Sequence, residues 1–347
     1  MPRIAKIAVR NSLADRGAAI SRHPRLHRFT LGLLASGMMA FSALATAQTW
    51  PSRPVKMIVP FAAGGATDTV ARQLGARLQE VLGQSFIVEN RTGANGNIGS
   101  DFVAKAPPDG YTLLVADLGT FTSGPAVYPN LPFDPLADFT PITMLVGSPY
   151  GLAVTPSLPG NTVAELIAYA RANPGKFNYA MLGNGSASHL AGIELGARAN
   201  LVFTFVPYKG GVPALTDVAA GQAQALSIAM LSTYPFVRAG KLRLVGVMSR
   251  ERLSFLPDVP TVAESGFPGF VAGQWQALYG PRGLPRDIAD RLRVETSRFL
   301  NSPEMKKRFA EQGGEVATGT SEDLARFVAD EKVKFARLVK EHNIKLD

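Results

Sequence analysis

The sequence predicts an α/β protein, because strand-like and helix-like segments alternate along most of its 347 residues. Short apolar runs bounded by Gly, Pro or Asp indicate buried strands, at residues 55–61, 85–91, 111–117 and 242–249. Apolar residues spaced three and four apart indicate amphipathic helices, at residues 67–82, 161–172, 188–198, 212–220, 286–300 and 321–342. The repeated order of strand and then helix predicts sheets that are largely parallel.

Three helices, including a further one that follows Ser302, begin with a recognisable capping residue. We expect Asn161, Ser302 and Ser321 to be the N-caps, because each precedes a helical pattern with an acidic residue in its first turn. These signals concern structure and carry no functional weight.

The first 47 residues have the order of a signal peptide. Residues 1–28 contain seven Lys or Arg and one Asp, and the following apolar run ends at the small residues Ala45, Thr46 and Ala47. A membrane anchor is the alternative, but the apolar run is short for a membrane span. We therefore expect export, removal of residues 1–47 and a mature chain that begins near Gln48.

Charge and cysteine content exclude several classes of function. Removal of the leader takes away 7 of 36 basic and 1 of 27 acidic residues, which lowers the formal net charge from +9 to +3. No run of Lys and Arg with interleaved aromatic residues remains, so we expect no nucleic-acid partner. The absence of cysteine excludes disulfides, thiolate metal sites and cysteine nucleophiles.

Two extended, uncharged segments suggest that the chain passes twice between two lobes. Residues 142–157 and 267–281 are interrupted by Gly and bracket a middle block. We predict a discontinuous first lobe of residues 48–148 and 273–347, and a second lobe of residues 149–272. A ligand would bind in the cleft between them.

Motifs of catalysis and cofactor binding are missing from the mature chain. Its only histidines are His189 and His342, with no H-x-x-x-H spacing, no G-x-S-x-G elbow and no G-x-x-x-x-G-K-[ST] loop. The glycines of "RTGANGNIGS" (91–100) do not fit G-x-G-x-x-G, and we interpret this segment as a turn into a helix. We expect no cofactor and no metal ion.

Three small, polar, glycine-flanked loops instead stand at strand-to-helix junctions. They are "FAAGGATD" (61–68), "GNGSASH" (183–189) and "YKGG" (208–211). Such a loop can be a plain connection, or it can present backbone N–H groups to an anion. In the second loop Ser188 is either an N-cap or part of a neutral anion site, and His189 is more typical of a satisfied loop histidine than of a base.

In combination, these segments resemble a known family. "WPSRPVKMIVPFAAGGATDTVARQLGARLQEVLG", "GNGSASHLAGIEL", "VPYKGGVPALTDVAAGQ" and "RLSFLPDVPTVAESGFPGF" are similar to the periplasmic receptors of tripartite tricarboxylate transporters, the Bug (Bordetella uptake gene) family. The resemblance covers essentially the whole mature chain. It implies a two-lobed, type II-like Venus-flytrap fold with a hinge of two crossover strands, and a monomer in the periplasm that binds a small carboxylate.

The resemblance also implies which residues contact the ligand. One loop from each lobe would hold the carboxylate, through Gly64 and Gly65 and through Ser186 and Ser188. The full set of ligand-binding residues that it implies is Phe61, Gly64, Gly65, Thr67, Asp68, Gly185, Ser186, Ser188, His189, Tyr208, Lys209 and Gly210. Thr67 and Asp68 would order the first loop, and residues 208–210 would lie beside the distal end of the ligand.

Three functions are compatible with this interpretation. The first is a receptor that delivers a carboxylate to the integral membrane subunits of a tripartite tricarboxylate transporter. The alternatives are a periplasmic lyase or hydrolase on the same scaffold, or a ligand sensor for a signalling kinase. Members of the family often have an acidic residue where residues 224–233 have none. That difference favours an apolar or purely acidic distal group on the ligand.

Overall fold

The computed structural model describes residues 50–128 and 130–341, and the predicted signal peptide lies outside the described residues. Ten strands are described: β1 (Val55–Val59), β2 (Phe86–Asn90), β3 (Thr112–Asp117), β4 (Phe139–Val154), β5 (Asn178–Met181), β6 (Thr204–Pro207), β7 (Ala225–Ala229), β8 (Arg243–Val247), β9 (Gly273–Pro281) and β10 (Glu315–Val316).

The described α-helices are α1 (Ala66–Leu82), α2 (Asn97–Ala104), α3 (Leu118–Thr122), α4 (Gly124–Val127), α5 (Val163–Ala172), α6 (Ala187–Arg198), α7 (Gly211–Ala219), α8 (Met230–Arg238), α9 (Arg286–Leu300), α10 (Pro303–Ala310) and α11 (Ser321–Glu341). The predicted strands and helices are confirmed, with ends that agree within two residues. The interpretation of residues 91–100 is also confirmed, because a 3₁₀ turn at Ala94–Gly96 leads into α2.

The strands form one mixed sheet in the order β2-β1-β3-β9-β4-β7-β5-β6, with β8 and β10 also paired to β4. The two ends of the sheet are parallel, through β1 with β2 and β3 and through β5 with β6 and β7. The prediction of largely parallel sheets is wrong at the centre, where β4 and β9 pair antiparallel with their neighbours. Local alternation of strands and helices does not reveal this long-range pairing.

Both segments that the sequence marks as crossovers contain long extended strands. β4 pairs with β9 from Phe139 to Pro149 and then with β7 and β8 from Tyr150 to Val154. β4 therefore belongs to both halves of the sheet. The assignment of the remaining residues to two lobes stays a prediction.

Two of the three predicted helix caps are wrong by one residue. Ser302 caps α10, as predicted, through its side chain and the amide of Met305. The N-cap of α5 is Thr162 and not Asn161, because Thr162 and Glu165 form a reciprocal capping box. Thr320 and not Ser321 has the same arrangement with Asp323 at the start of α11.

The core of the first half of the sheet is typical of α/β packing. The apolar stripe of α1 is buried on the strands through Val70, Leu74 and Leu78, which are at most 1% exposed. Each such side chain contributes roughly 1.5–3 kcal/mol of apolar transfer free energy. Gly83 ends the helix with a positive φ of 73°. Among the described residues, no helix is both long enough and apolar enough to cross a membrane.

Candidate ligand-binding site

The loops that follow β1, β5 and β6 meet at one small cavity, which we call the front cavity. It has a volume of about 20 Å³. Its lining residues are Phe61, Gly65, Ala66, Thr67, Leu182, Gly211, Ile228, Ser232 and Gln274. This volume holds about one water molecule, whereas pockets for small-molecule ligands span roughly 300–1,000 Å³. A larger ligand therefore enters only if the loops move apart.

Two helices begin at the front cavity without a side-chain cap. Gly65 precedes α1 and Gly210 precedes α7, and neither residue accepts a hydrogen bond from the first turn through its side chain. The start of α8 differs, because the Leu231 amide donates to Ser148 Oγ at 3.2 Å. The first N–H groups of an α-helix have no acceptor within the helix, and they carry the positive end of the helix dipole. The front cavity is therefore suited to an anion.

A buried carboxylate orders the first loop. Asp68 is 2% exposed and accepts hydrogen bonds from Arg72 (2.8 and 3.0 Å), from Asn90 (2.9 Å) and from the amide of Gly64 (2.8 Å). Burial by itself would raise the pKa of Asp68, but these hydrogen bonds and the charge of Arg72 together lower it. Gly64 has a φ of 80°, which favours glycine, and its amide is already engaged by Asp68.

A second buried carboxylate lies behind the first loop. Asp117, at the end of β3, accepts hydrogen bonds from the Gly119 amide (2.8 Å) and from Gln274 Nε2 (2.6 Å). Gln274 also donates to Thr67 Oγ1 at 3.3 Å, so Thr67 is linked to Asp117 through one amide group. Burial raises the pKa of Asp117 to about 6, against the opposing effect of the two hydrogen bonds.

The polar groups of the second loop mostly bond to one another. Ser186 is the N-cap of α6 and accepts from the His189 amide (3.2 Å), so the alternative that Ser188 is the cap is wrong. Ser188 Oγ accepts from the Leu182 amide and lies 3.0 Å from Ser186 Oγ. His189 Nδ1 accepts from the Gly185 amide at 3.1 Å, and burial lowers the pKa of His189 to about 4. His189 is therefore neutral at pH 7 and completes the turn.

In the third loop, only the backbone approaches the first loop. The hydroxyl of Tyr208 donates to Asp217 on α7 at 2.9 Å, and Lys209 is exposed. Gly210 is buried against Ala62, where an added Cβ would lie 2.8 Å from the Ala62 Cβ atom. Glycine is therefore required at residue 210 for the close approach of the first and third loops.

The turn at Gly93–Gly96 has the most unusual backbone near these loops. The φ angles of its four residues are all positive, at 130°, 46°, 53° and 87°. Ala94 and Asn95 are not glycine, and such strained conformations are concentrated at functional sites. Asn95 faces Gly183 of the second loop, and its buried Nδ2 has no hydrogen-bond partner among the described residues.

The structure brings three of the residues expected at the site to the front cavity, namely Phe61, Gly65 and Thr67. The others lie in the same three loops but do not line this cavity. Sequence reasoning missed Asn95, Asp117, Ser232 and Gln274. Gln274 lies inside the predicted crossover segment 267–281, and Ser232 lies inside residues 224–233, which differ from the family by their lack of an acidic residue. Neither side chain belongs to a sequence motif that indicates a binding site.

Comparison with known proteins gives consistent results across most of the chain. The family model described as "Tripartite tricarboxylate transporter family receptor" matches residues 70–344. Protein BugT of Bordetella pertussis is 37% identical over 306 residues, which cover 88% of this chain and 94% of BugT.

Two similar solved structures contain a carboxylate. The structure of R. palustris Rpa4515 with adipate has a TM-score of 0.83 at 37% identity, covering 85% of this chain and 99% of that one. The structure of MatC (Rpa3494) from Rhodopseudomonas palustris with bound malate has a TM-score of 0.80 at 35% identity, covering 84% of this chain and all of that one. The chain has the α/β fold of the periplasmic binding proteins.

Proposed function

This chain belongs to the tripartite tricarboxylate transporter receptor family, and from that premise we propose that it captures a small carboxylate in the periplasm and delivers it to the membrane subunits of such a transporter. The bound acid would occupy an enlarged front cavity. The protein would act as a monomer, without a cofactor.

The observation that carries this proposal is the convergence of uncapped helix starts on a neutral cavity. The N-termini of α1 and α7 approach it from different loops, and every lining residue is uncharged. A carboxylate held by such donors is stabilised without a fixed positive charge. The adipate and malate bound to Rpa4515 and MatC support the choice of a carboxylate over other anions.

Ligand entry requires an opening motion, which the two predicted lobes would provide. Residues 48–148 and 273–347 would move as one body, and residues 149–272 as the other. The first and third loops, which would separate, are in close contact. A Cβ atom added to Gly64 would lie 3.2 Å from Val212, and one added to Gly210 would lie 2.8 Å from Ala62. The ligand would shift the equilibrium towards the closed arrangement, and the transporter would reverse it.

The hydrogen bonds of the second loop favour a receptor over a hydrolase or lyase. Ser186 Oγ accepts from the backbone amide of His189, and no hydrogen bond joins the His189 imidazole to either serine hydroxyl among the described residues. The Nδ1 atom of His189 is occupied by the Gly185 amide, and a pKa of about 4 makes this imidazole a weak base at pH 7. Neither serine therefore has the partner that a nucleophile needs.

The walls of the front cavity suggest an acid without an ammonium group. Leu182 and Ile228 are apolar, and Ser232 and Gln274 are neutral hydrogen-bonding groups. An ammonium group would need a carboxylate partner, but both oxygens of nearby Asp117 are engaged by Gly119 and Gln274. We therefore propose a ligand such as a dicarboxylate with an aliphatic spacer.

A thermal-shift panel tests this proposal. Residues 48–347 are unfolded in denaturant, dialysed and refolded to remove any resident ligand, and are then heated with malate, adipate, citrate, benzoate or aspartate. A ligand that binds only the folded state stabilises it by about 2.7 kcal/mol at a hundredfold excess over Kd. We expect at least one dicarboxylate to raise the Tm and aspartate to have little effect. If no acid raises the Tm of the refolded protein, the proposal is wrong.

A further inference from the structure

A much larger cavity lies on the other side of the two central strands. This rear cavity has a volume of about 700 Å³ and is lined by Gly147–Pro149 of β4 and by Gly273 and Trp275 of β9, among others. Gln274, between these two residues of β9, instead lines the front cavity. Because successive side chains of a strand point to opposite faces, the two cavities lie on opposite faces of β9.

The floor and walls of the rear cavity are largely apolar and partly rigid. Trp275 packs against Phe327, with ring centroids 5.4 Å apart. A Cβ atom added to Gly147 would lie 2.3 Å from the Trp275 ring, so the indole rests on the backbone of β4. Leu253, Phe255 and the 44% exposed Val271 extend the apolar surface. Solvent-exposed apolar surface of this kind is typical of a binding site.

The charged groups of the rear cavity have an excess of positive charge. Arg250, Lys306 and Glu315 are its charged lining residues. The adjacent Arg252 and Lys307 pair with Glu264 and Glu311, whereas neither Arg250 nor Lys306 has a carboxylate partner among the described residues. The two cations outnumber the one carboxylate, and their net positive charge beside an apolar surface is complementary to an anion that has an apolar body.

We propose that the rear cavity is a second binding site, for a small amphipathic anion such as a medium-chain carboxylate. The alkyl chain would lie on Trp275 and Phe255, and the carboxylate would pair with Arg250 or Lys306. The volume lies within the range of roughly 300–1,000 Å³ that is usual for small-molecule sites. A stable complex with a protein partner would instead bury about 800 Å² of the surface of this chain.

The two tryptophans of the chain, Trp50 and Trp275, provide a direct test. In the Trp50→Phe variant Trp275 is the only tryptophan, and its emission is recorded during titration with decanoate below its micellar concentration. We expect a saturable change in emission, with weaker binding of the uncharged control decanol. The Arg250→Ala and Lys306→Ala variants should each weaken decanoate binding by about threefold, because each ion pair is partly exposed.

Introduction of a negative charge at Ala310 tests the electrostatics of the rear cavity without removing a cation. Ala310 lines the rear cavity and is exposed, so neither Glu nor Gln at this residue disturbs the core. Ala310→Glu should weaken decanoate binding by about threefold relative to the equally large Ala310→Gln. Equal affinities in these two variants, or the absence of a saturable signal with Trp275 as the reporter, would overturn the proposal.

The site must also be separate from the front cavity. Gly65→Val should leave decanoate affinity unchanged within about twofold, because Gly65 lines only the front cavity. Competition between decanoate and a front-cavity acid for one site, or capture of a peptide in place of decanoate, would also contradict the proposal. If no acid of the thermal-shift panel raises the Tm, the proposed function is wrong, but the result of the decanoate titration is unaffected.

Discussion

The front and rear cavities share strand β9 and differ in every property that governs binding. The front cavity is about 20 Å³, lined by neutral residues and approached by two uncapped helix starts, whereas the rear cavity is about 700 Å³, largely apolar and lined by two cations and one carboxylate. In this fold, the larger cavity is therefore not the one at which backbone donors converge. A candidate site for a small polar anion is therefore better identified by its hydrogen-bond donors than by its volume.

The largest expected effect is the loss of acid binding when a side chain is added in the front cavity. Gly65 has a φ of −73°, and a Cβ atom there would come no closer than 3.5 Å to the protein, so Gly65→Val should fold normally. The added methyl groups would fill the front cavity and shield about two amide donors. Loss of those hydrogen bonds should weaken binding of the acid by about a thousandfold, or about 4 kcal/mol.

Isothermal titration calorimetry of the most stabilising acid measures this loss. Ala63→Val is the matched control, since Ala63 lies in the same loop, is exposed and does not line the front cavity. Equal affinities of the two valine variants would contradict the assignment of the front cavity as the binding site.

The second prediction concerns the buried carboxyl group behind the front cavity. Asp117 has its pKa raised from 3.8 to about 6 by burial, so between these pH values the folded protein keeps a proton that the unfolded chain has released. Its contribution to the free energy of unfolding should therefore fall by about 3 kcal/mol as the pH rises from 4 to 7. Asp117→Asn should remove this fall.

Urea unfolding of both proteins at several pH values checks the difference. Parallel stability curves for the wild type and Asp117→Asn would show that the pKa of Asp117 is the same in the folded and unfolded protein, and would contradict the prediction. The rear cavity provides the contrast, because the charged groups that line it belong to Arg250, Lys306 and Glu315, which are exposed side chains.

The third prediction uses the strained turn beside the second loop. Asn95→Gly removes the unpaired Nδ2 but keeps a residue that adopts a φ of 53° without strain. If Nδ2 contacts the ligand, affinity should fall by about tenfold while the Tm stays equal or rises. Asn184→Gly is the control, since Asn184 is exposed in the facing loop. Unchanged affinity in Asn95→Gly would assign the turn a structural role only.

The smallest effect tests whether the two cavities are coupled. Met248 and Phe255 from the second predicted lobe face Lys306 and Ala310 from the first across the rear cavity. Opening of the front cavity would narrow the rear cavity, so a bulky residue in the rear cavity should destabilise the open arrangement. Ala310→Trp should therefore raise affinity for the front-cavity acid by about threefold. Weaker binding in this variant, measured by the same calorimetry, would contradict the proposed hinge.

Local patterns were sufficient to predict most elements but not their arrangement. The periodicity of residues 67–82 predicted α1, and the Gly-Gly turn before it was interpreted as either a plain connection or a site that presents backbone N–H groups to an anion. β5, β6 and β7 were not predicted: β5 and β6 contain only four residues each, and in β7 (ALSIA) Ile228 is the only β-branched or aromatic residue. The antiparallel pairing of β3 with β9 joins residues more than 150 positions apart, for which the sequence contains no local signal.

The candidate site was predictable at the level of loops and less so at the level of atoms. Gly65 and Thr67 were implied as site residues by the resemblance to the receptor family, and both line the front cavity. The hydroxyls of Ser186 and Ser188 were expected to face a ligand, but in the structure they accept hydrogen bonds from nearby backbone amides. The sequence shows that serines precede a helix, but not which donors occupy their oxygens. Whether they also contact the ligand stays a prediction.

The location of the bound acid tests the central claim most directly. A crystal structure of the refolded protein with the most stabilising acid of the panel would show it. We predict that one carboxylate lies within about 2.7–3.2 Å of amide nitrogens in the first turns of α1 and α7, inside a widened front cavity. A carboxylate bound only beside Arg250 and Lys306 in the rear cavity would contradict the account.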